Sequence, residues 1–208
     1  MKQTELERDI AAERRGSRTS LPIVEISDIN KIKHRVRKNK KHTALLTLGL
    51  NTALRGVDLV RLRVRDVHPI DAQDSFTITE RKTMKRITLT LNQPTVDAIQ
   101  DLVESQNLRP DDYLFQGQRR GPHSISDPVP HLTRQALSSL VRIWCRDLGL
   151  LGSYGSHTLR KTRVFHLYQN GTDLGLLMLL LNHSSAAQTL KYICAQPKDM
   201  ADLSKLEL

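Results

Sequence analysis

The chain has 208 residues, a net charge of +10 at neutral pH and a sequence pI near 9.9. This length supports one well-buried core but is short for two full domains. Aromatic residues make up only 4% of the chain, which argues against the base-stacking surfaces of RNA-recognition and single-strand-binding modules. The positive charge is typical of proteins that bind a polyanion, although ribosomal and membrane-surface proteins share it.

Cysteine usage and hydropathy exclude several further classes. Cys145 and Cys194 have neither CxxC spacing nor clustered histidines, so no structural metal site is predicted and both are expected to be buried free thiols. The charged N-terminal region lacks the apolar stretch of a signal peptide. The most apolar run, 174–181, is far shorter than the roughly 20 residues of a membrane helix. We therefore expect a soluble, cytoplasmic protein without a membrane segment.

The first part of the chain is polar and then strongly basic. Residues 1–24 form a polar lead that is expected to be mobile or partly helical. Seven of the eleven residues from 31 to 41 are lysine or arginine. This segment predicts either a surface that contacts phosphates or an ordinary solvated helix face, and both interpretations remain open. The candidate DNA contacts within it are Lys31, Lys33, Arg35 and Arg37.

Helical spacing from 42 to 63, with a break near Arg55, gives way to alternation of apolar and polar residues between 65 and 91. The alternation predicts an antiparallel hairpin with Lys82 and Lys85 at its tip. Pro94 is expected to begin the next helix.

Residues 108–130 form a predicted loop that is rich in proline, glycine and polar residues. It contains Arg119 and Arg120, which are further candidate DNA contacts. An amphipathic helix is predicted from about His131, with Arg134 near its start as another candidate contact.

The C-terminal part predicts three short helices. Ser156 is expected to cap the helix that carries His157 and Arg160 on one face. Thr172 or Asp173 is expected to cap the second helix, and the third begins near Ala186 and carries Tyr192. The predicted fold class is therefore mainly α with one small antiparallel β-sheet.

The polar residues of this pattern suit attack on a phosphodiester. Guanidinium groups can stabilise charge on the phosphate oxygens, because their rigid fork matches two oxygens and stays protonated. A tyrosine can act as an oxygen nucleophile when cations or a base activate it. A lysine or histidine can supply a proton to the leaving oxygen. The candidates are Arg55, Lys82, His157, Arg160, His183 and Tyr192.

The arrangement of these residues resembles the tyrosine recombinases, the phage-integrase family. Leu50-Asn-Thr-Ala-Leu-Arg55-Gly-Val-Asp58 resembles the family's first arginine box, and His157-Thr-Leu-Arg160 matches its HxxR box. Leu-Leu-Asn-His183-Ser-Ser resembles the LLGHSS box. Tyr192 falls at the nucleophile position, and Lys82 resembles the β-hairpin lysine. The similarity covers roughly residues 25–196, which we predict to be the catalytic domain.

The resemblance implies a role for each residue. Tyr192 would attack the phosphate to give a 3′-phosphotyrosyl link and a free 5′-hydroxyl, while Arg55 and Arg160 would hold the phosphate oxygens. Lys82 would protonate the leaving oxygen, although Lys85 could exchange roles with it. His157 would assist proton transfer, His183 would hydrogen-bond the phosphate, and Asp58 would support the site from behind. The resemblance implies no metal and no cofactor.

Three glycines of the family pattern are replaced in this chain. Ala53 stands before the arginine box, Met84 in the hairpin tip and Asn182 before the second histidine. The chain also has too few residues before the catalytic region for the DNA-clamping domain that most relatives carry, as in the short fimbrial phase-variation recombinases.

The resemblance also implies partners. These are double-stranded DNA, three further copies of the chain in a tetramer on DNA, and a possible accessory DNA-binding protein. The tail at 197–208 is a candidate segment for exchange between protomers. Two other functions remain open, namely an idle DNA-binding regulator of this fold and a type IB topoisomerase-like enzyme.

Overall fold

The computed structural model describes residues 19–69, 71–118 and 129–193. Arg119, Arg120, Cys194 and the tail at 197–208 lie outside these ranges. The elements in chain order are α1 (Ile26–Val36), α2 (Lys40–Thr52), α3 (Gly56–Leu59), α4 (Val64–Val67), β1 (Ser75–Thr79), β2 (Arg86–Thr90), α5 (Gln93–Gln106), α6 (Arg134–Arg146), α7 (Thr158–Gln169), α8 (Leu174–Leu181) and α9 (Ala186–Ile193). The prediction of a mainly helical chain with one small antiparallel sheet is confirmed.

Helix α2 is the central element of the core. It packs mainly against α5 and α7, and most of its middle residues are buried. Gly49 permits the close approach of α7, because a Cβ atom there would lie 2.6 Å from the Leu159 Cδ1 atom. This crossing brings the end of α2 beside the start of α7, where the conspicuous arginines and histidines of the sequence lie.

The chain reverses sharply after α2, as the sequence indicated. Ala53 adopts a left-handed conformation with φ 53°, and Arg55 is extended before α3 begins at Gly56. A Cβ atom on Gly56 would lie 2.9 Å from the Ser156 Cβ atom. Glycine therefore lets Arg55 approach the segment that leads into α7.

The predicted hairpin is present. Strands β1 and β2 pair antiparallel from Ser75–Thr90 to Thr79–Arg86, with Phe76 opposite Leu89 on the buried face. The connecting turn closes through hydrogen bonds from the Glu80 N–H to the Lys85 carbonyl, 2.9 Å, and from the Met84 N–H to the Glu80 carbonyl, 2.9 Å. The two strands thus carry a tight six-residue turn at 80–85, toward the arginine-bearing side of the core.

Two predicted helix starts are wrong. Helix α6 begins at Arg134 rather than His131, because the Thr133 side chain caps it while His131 bridges to Gln116. Ser156 does not cap α7. Its place is taken by a turn in which the Gly155 N–H donates to the Thr158 hydroxyl, 3.0 Å.

The sequence offered Thr172 and Asp173 as capping residues for α8, and the structure shows which of them caps the helix. The Asp173 carboxylate accepts hydrogen bonds from the Gly175 and Leu176 N–H groups. Asp173 is therefore the capping residue, and Thr172 is not.

The predictions of a buried thiol and of no membrane-spanning helix can be compared with the structure. Cys145 is fully buried, and burial raises the pKa of its thiol to about 12, helped by the charge of Asp28. No helix within the described ranges is long and apolar enough to cross a membrane.

Left-handed backbone occurs at each position where the family pattern has glycine. The φ angles are 53° at Ala53, 56° at Met84 and 54° at Asn182. Glycine adopts this conformation without steric cost, whereas residues with a Cβ atom adopt it less readily. The fold has kept these three backbone turns without the residue that best suits them.

We expect Met84→Gly to stabilise the protein. The left-handed conformation costs a non-glycine residue about 1 kcal/mol or more, and glycine's larger unfolded-state entropy offsets part of the gain. Since the Met84 side chain is 74% exposed, little packing is lost. The free energy of unfolding should rise by about 0.5 kcal/mol in urea denaturation. Met84→Ala, which keeps the Cβ atom, should show no gain, and an equal gain in both variants would contradict the explanation.

Candidate active site

Two arginines from distant parts of the chain meet at one buried carboxylate. Arg55 forms an ion pair with Glu80 through Nη1 and Oε1. Arg160 Nη1 lies 3.8 Å from the same oxygen. The Glu80 and Arg160 side chains are only 1% and 3% exposed. A buried charge is tolerated only when it is paired and hydrogen-bonded, so this trio forms a compact electrostatic unit.

Backbone carbonyls at two helix ends fix the guanidinium groups. Arg160 donates from Nη1 to the Ala53 carbonyl, 2.6 Å, and from Nη2 to the Leu181 carbonyl, 3.0 Å. Arg55 Nη2 lies 3.5 Å from the Leu181 carbonyl. Both carbonyls lie where a helix ends in a left-handed residue, Ala53 itself and Asn182. A guanidinium group has five N–H donors, so each arginine can satisfy these acceptors and still bind an anion.

Tyr192 and His183 lie against this arginine cluster. Their rings meet edge to face with centroids 5.2 Å apart. The His183 Nδ1 atom hydrogen-bonds the Thr189 hydroxyl at 3.0 Å. Burial lowers the pKa of Arg160, and its interaction with the Tyr192 hydroxyl opposes this shift. The structure therefore brings together Arg55, Arg160, His183 and Tyr192, four of the six catalytic candidates from the sequence.

Lys161 also contacts the tyrosine. Its side chain is buried, and Nζ lies 5.0 Å from the centroid of the Tyr192 ring. A cation over an aromatic face is attractive by about 0.5–2 kcal/mol, and more when desolvated. The ring of Tyr192 is thus held between His183 and a buried ammonium group.

The surrounding positive charge affects both histidines. Desolvation lowers the pKa of His157, and the charges of Arg160, Lys161 and Arg134 lower it further. Because much of the His157 side chain is exposed to solvent, we attribute its lowered pKa mainly to the neighbouring cations. Partial burial and then the two arginines lower the pKa of His183. Both rings are therefore neutral at pH 7 and able to accept a proton or a hydrogen bond.

The hairpin turn presents its two lysines differently. Lys85 Nζ donates to the Asn182 side-chain oxygen, 2.8 Å, next to His183. Lys82 is exposed, and its side chain makes no hydrogen bond or ion pair within the described part of the chain. Lys82 is therefore available to reach a bound substrate, while Lys85 is engaged with the histidine loop.

Asp58 contacts the backbone of the hairpin turn rather than a guanidinium group. It is buried, and its Oδ1 atom accepts a hydrogen bond from the Arg81 N–H at 3.0 Å. Burial raises the pKa of Asp58, and the like charge of Glu80 adds to this effect. The residue predicted to support the site from behind therefore contacts the turn that carries Lys82.

Sequence reasoning missed Glu80 and assigned no role to Lys161. A signal for Glu80 exists, because Phe76, Ile78 and Glu80 continue one alternation, so the acid occupies an inward-facing position of the strand. An acid there requires a buried cation as its partner. No comparable signal distinguishes Lys161 from the other basic residues of the C-terminal part.

The predicted DNA contacts divide into two groups. Lys31 pairs with Asp28 at 2.7 Å, and Arg35 pairs with Asp147. Lys33 and Arg37 are exposed and make no ion pair within the residues that the structure describes. Arg134 is exposed on α6, on the side of His157. Among the described residues, no group of three or more potential ligands could hold a metal ion.

Comparisons with known proteins agree with this arrangement. The model of the phage integrase family matches residues 20–199. The chain is 31% identical over 173 residues to a probable integrase/recombinase YoeC of Bacillus subtilis, covering 83% of this chain and 88% of that protein. It is 24% identical over 168 residues to the tyrosine recombinase XerD of Oceanobacillus iheyensis, covering 81% of this chain but only 54% of that protein.

Solved structures show the same fold. The site-specific recombinase XerH, bound to a difH substrate in a post-cleavage complex, superposes with a TM-score of 0.70 at 20% identity, over 91% of this chain and 54% of that one. XerA recombinase superposes with a TM-score of 0.69 at 17% identity, over 91% and 64%. The present chain thus corresponds to about half to two thirds of these longer proteins.

The cation cluster predicts the titration of His157 and His183. The pKa of each ring should lie below the value of about 6.5 for free histidine. An NMR titration that follows the carbon-bound protons of the rings measures both pKa values. Arg134→Gln should raise the pKa of His157, because one neighbouring cation is removed, and leave that of His183 unchanged. Titration of both rings above the ordinary value would contradict the electrostatic description.

Proposed function

Because the chain belongs to the phage integrase family, which includes relatives named as tyrosine recombinases, we propose that it cleaves and rejoins DNA strands at specific sites through Tyr192. The observation that carries this proposal is the convergence of Tyr192, His183, Arg160 and Arg55 in one cluster. The cluster combines a nucleophile, two anion-binding guanidinium groups and a neutral histidine.

Binding of the scissile phosphate falls to the two arginines. Negative charge grows on the non-bridging oxygens as the nucleophile attacks, and pre-positioned cations stabilise it without reorganisation. The carbonyls of Ala53 and Leu181 hold both side chains in place before DNA arrives. In the proposed complex His183 donates its Nε2–H to a phosphate oxygen, while its Nδ1 atom accepts a hydrogen bond from the Thr189 hydroxyl.

Cleavage forms one bond and breaks one. The Tyr192 oxygen bonds to phosphorus as the phenolic proton passes to His157, which is neutral at pH 7. The bond from phosphorus to the 5′-oxygen breaks, and Lys82 donates the proton that this oxygen requires. The products are a 3′-phosphotyrosyl link and a 5′-hydroxyl. Attack by a 5′-hydroxyl of another strand reverses the step, so the energy of the phosphodiester is conserved.

Of the two alternatives, an idle DNA-binding regulator has no observation in its favour, since the predicted site residues within the described ranges are all present. A topoisomerase-like enzyme would share the chemistry but relax supercoils without regard to sequence. Site-specific recombination is therefore the better proposal.

Assembly on DNA is the second part of the proposal. Exchange between two duplexes requires four nucleophiles, so we propose a tetramer on double-stranded DNA, in the cytoplasm. Leu176 and Leu179 on α8 are 58% and 78% exposed, which offers an apolar surface to the tail at 197–208 of a neighbouring protomer. The longer relatives contain sequence beyond the shared region, so an accessory DNA-binding protein is a further candidate partner.

The first test traps the covalent intermediate. Sites are recovered by selecting tight binders from random-sequence duplexes, and a nicked suicide form of each is incubated with the protein. The wild type should form a covalent protein–DNA band, and Tyr192→Phe should form none, because only the attacking oxygen is removed. Tyr168→Phe and Tyr154→Phe are matched controls that should retain the band.

Two results of this experiment would contradict the proposal. Specific binding without a covalent band in the wild type would favour the idle regulator. A band that persists in Tyr192→Phe would identify a different nucleophile.

The second test concerns the basic segment. Lys33→Gln with Arg37→Gln removes two cations that form no ion pair with any residue in 19–69, 71–118 or 129–193, whereas Lys31→Gln with Arg35→Gln removes two that already face Asp28 and Asp147. Each phosphate contact contributes about 0.9 to the slope of log affinity against log salt. The first pair should lower the slope by about 1.8 in duplex-binding titrations and the second pair by less. Equal slopes in both variants would contradict this division.

A further inference from the structure

Glu80 is a buried charge of the site that the proposed chemistry does not use, and among the described residues it is the one whose carboxylate pairs with Arg55. We propose that Glu80 is a positioning residue that joins the arginine pair to the lysine-bearing turn, so that phosphate binding and leaving-group protonation depend on one carboxylate. This inference rests on the proposed function and adds to it a residue that touches neither phosphate nor leaving group.

The first observation is that Glu80 is ionised although it is buried. Burial alone would raise its pKa, but the hydrogen bonds from Thr83 and Arg55 and the charges of Arg55 and Arg160 bring the pKa below its ordinary value. Two guanidinium groups that approach one another would otherwise repel. The carboxylate offsets that repulsion and holds both groups together before a phosphate is present.

The second observation is that the two carboxylate oxygens face different parts of the site. Oε1 faces Arg55 and Arg160. Oε2 accepts a hydrogen bond from the Thr83 hydroxyl at 2.7 Å. Thr83 directly follows Lys82, so one side chain contacts both the anion-binding groups and the turn that carries the general acid.

The third observation is that the backbone of Glu80 makes the hydrogen bonds that close the turn. Its N–H and carbonyl make both hydrogen bonds that close the turn, to Lys85 and from Met84. Asp58 holds the intervening Arg81 N–H from the other side. A change in the Glu80 side chain that shifts its backbone would therefore also shift Lys82.

A carboxylate beside two arginines could instead act as a latch that competes with the phosphate. The burial of Glu80 argues against this, because a competitor for DNA has to lie in the opening of the site rather than beneath it. The two interpretations predict opposite effects. Loss of a latch speeds cleavage, whereas loss of a positioning residue slows it.

The test measures single-turnover cleavage of the suicide duplex and of the same duplex with a 5′-bridging sulfur. Sulfur leaves without a proton, because the pKa of a thiol is about 8.5, far below that of an alcohol. Lys82→Ala serves as the reference for loss of the acid alone, and sulfur should restore nearly all of its rate. Glu104→Gln, at an exposed position of α5, is the matched control and should behave as the wild type.

Glu80→Gln should cleave the natural duplex roughly tenfold to a hundredfold more slowly, with unchanged or tighter DNA binding. Sulfur should restore part of this loss, because the leaving group then no longer needs the proton from Lys82. The rest of the loss should remain, because the two arginines are still displaced. Thr83→Val, which removes only the hydroxyl bonded to Oε2, is the milder variant for the case that Glu80→Gln folds poorly. Its smaller loss should be restored almost fully by sulfur.

Two results would overturn the role of Glu80 while leaving the proposed function intact. These are an unchanged or faster rate in Glu80→Gln, or the absence of any sulfur rescue in both Glu80→Gln and Thr83→Val. Absence of cleavage by the wild type would instead overturn the proposed function, and the role of Glu80 with it.

Discussion

The structure of the site depends on the cost of placing the buried Arg160 beside the largely buried Arg55. Arg55 and Arg160 come from positions more than a hundred residues apart and carry like charges in a setting of low polarity. Such a pair is stable only if anionic or carbonyl oxygens satisfy it. Glu80 supplies the charge, and the carbonyls of Ala53 and Leu181 supply the remaining acceptors. The hairpin, the end of α2 and the end of α8 are therefore held around the same two side chains.

This constraint explains why helix ends matter more to the site than helix interiors. Helices α2 and α8 each stop in a left-handed residue, Ala53 and Asn182, and thereby leave carbonyls directed at the guanidinium groups instead of at a further helical turn. The hairpin turn has the same backbone feature at Met84. The absence of glycine at all three positions shows that the conformations are imposed by surrounding contacts, at some cost in local strain.

Much of the fold was predictable because it depends on periodicity. The alternation before and after the hairpin turn and the helical spacing around Trp144 were sufficient for the elements. The ordered polar residues were sufficient to select the side chains that the structure places in one cluster, Arg55, Arg160, His183 and Tyr192. Helix starts at Ser156 and His131 were wrong, because Thr158 and Thr133 make the local hydrogen bonds instead. Glu80 was missed, since only the three-dimensional arrangement shows which cations an inward-facing acid will meet. The pairing of Arg35 with Asp147, 112 residues away, is likewise invisible in a charge run.

One electrostatic unit, formed by Arg55, Arg160 and Glu80, orders the parts of the site. A structure of the Tyr192→Phe variant bound to a duplex with an intact scissile phosphate tests it most directly. Arg55 and Arg160 should both contact non-bridging oxygens of that phosphate, at about 2.8 Å, while Glu80 stays ion-paired with Arg55 beneath them. A phosphate bound away from the two arginines, or a Glu80 side chain expelled from between them, would contradict it.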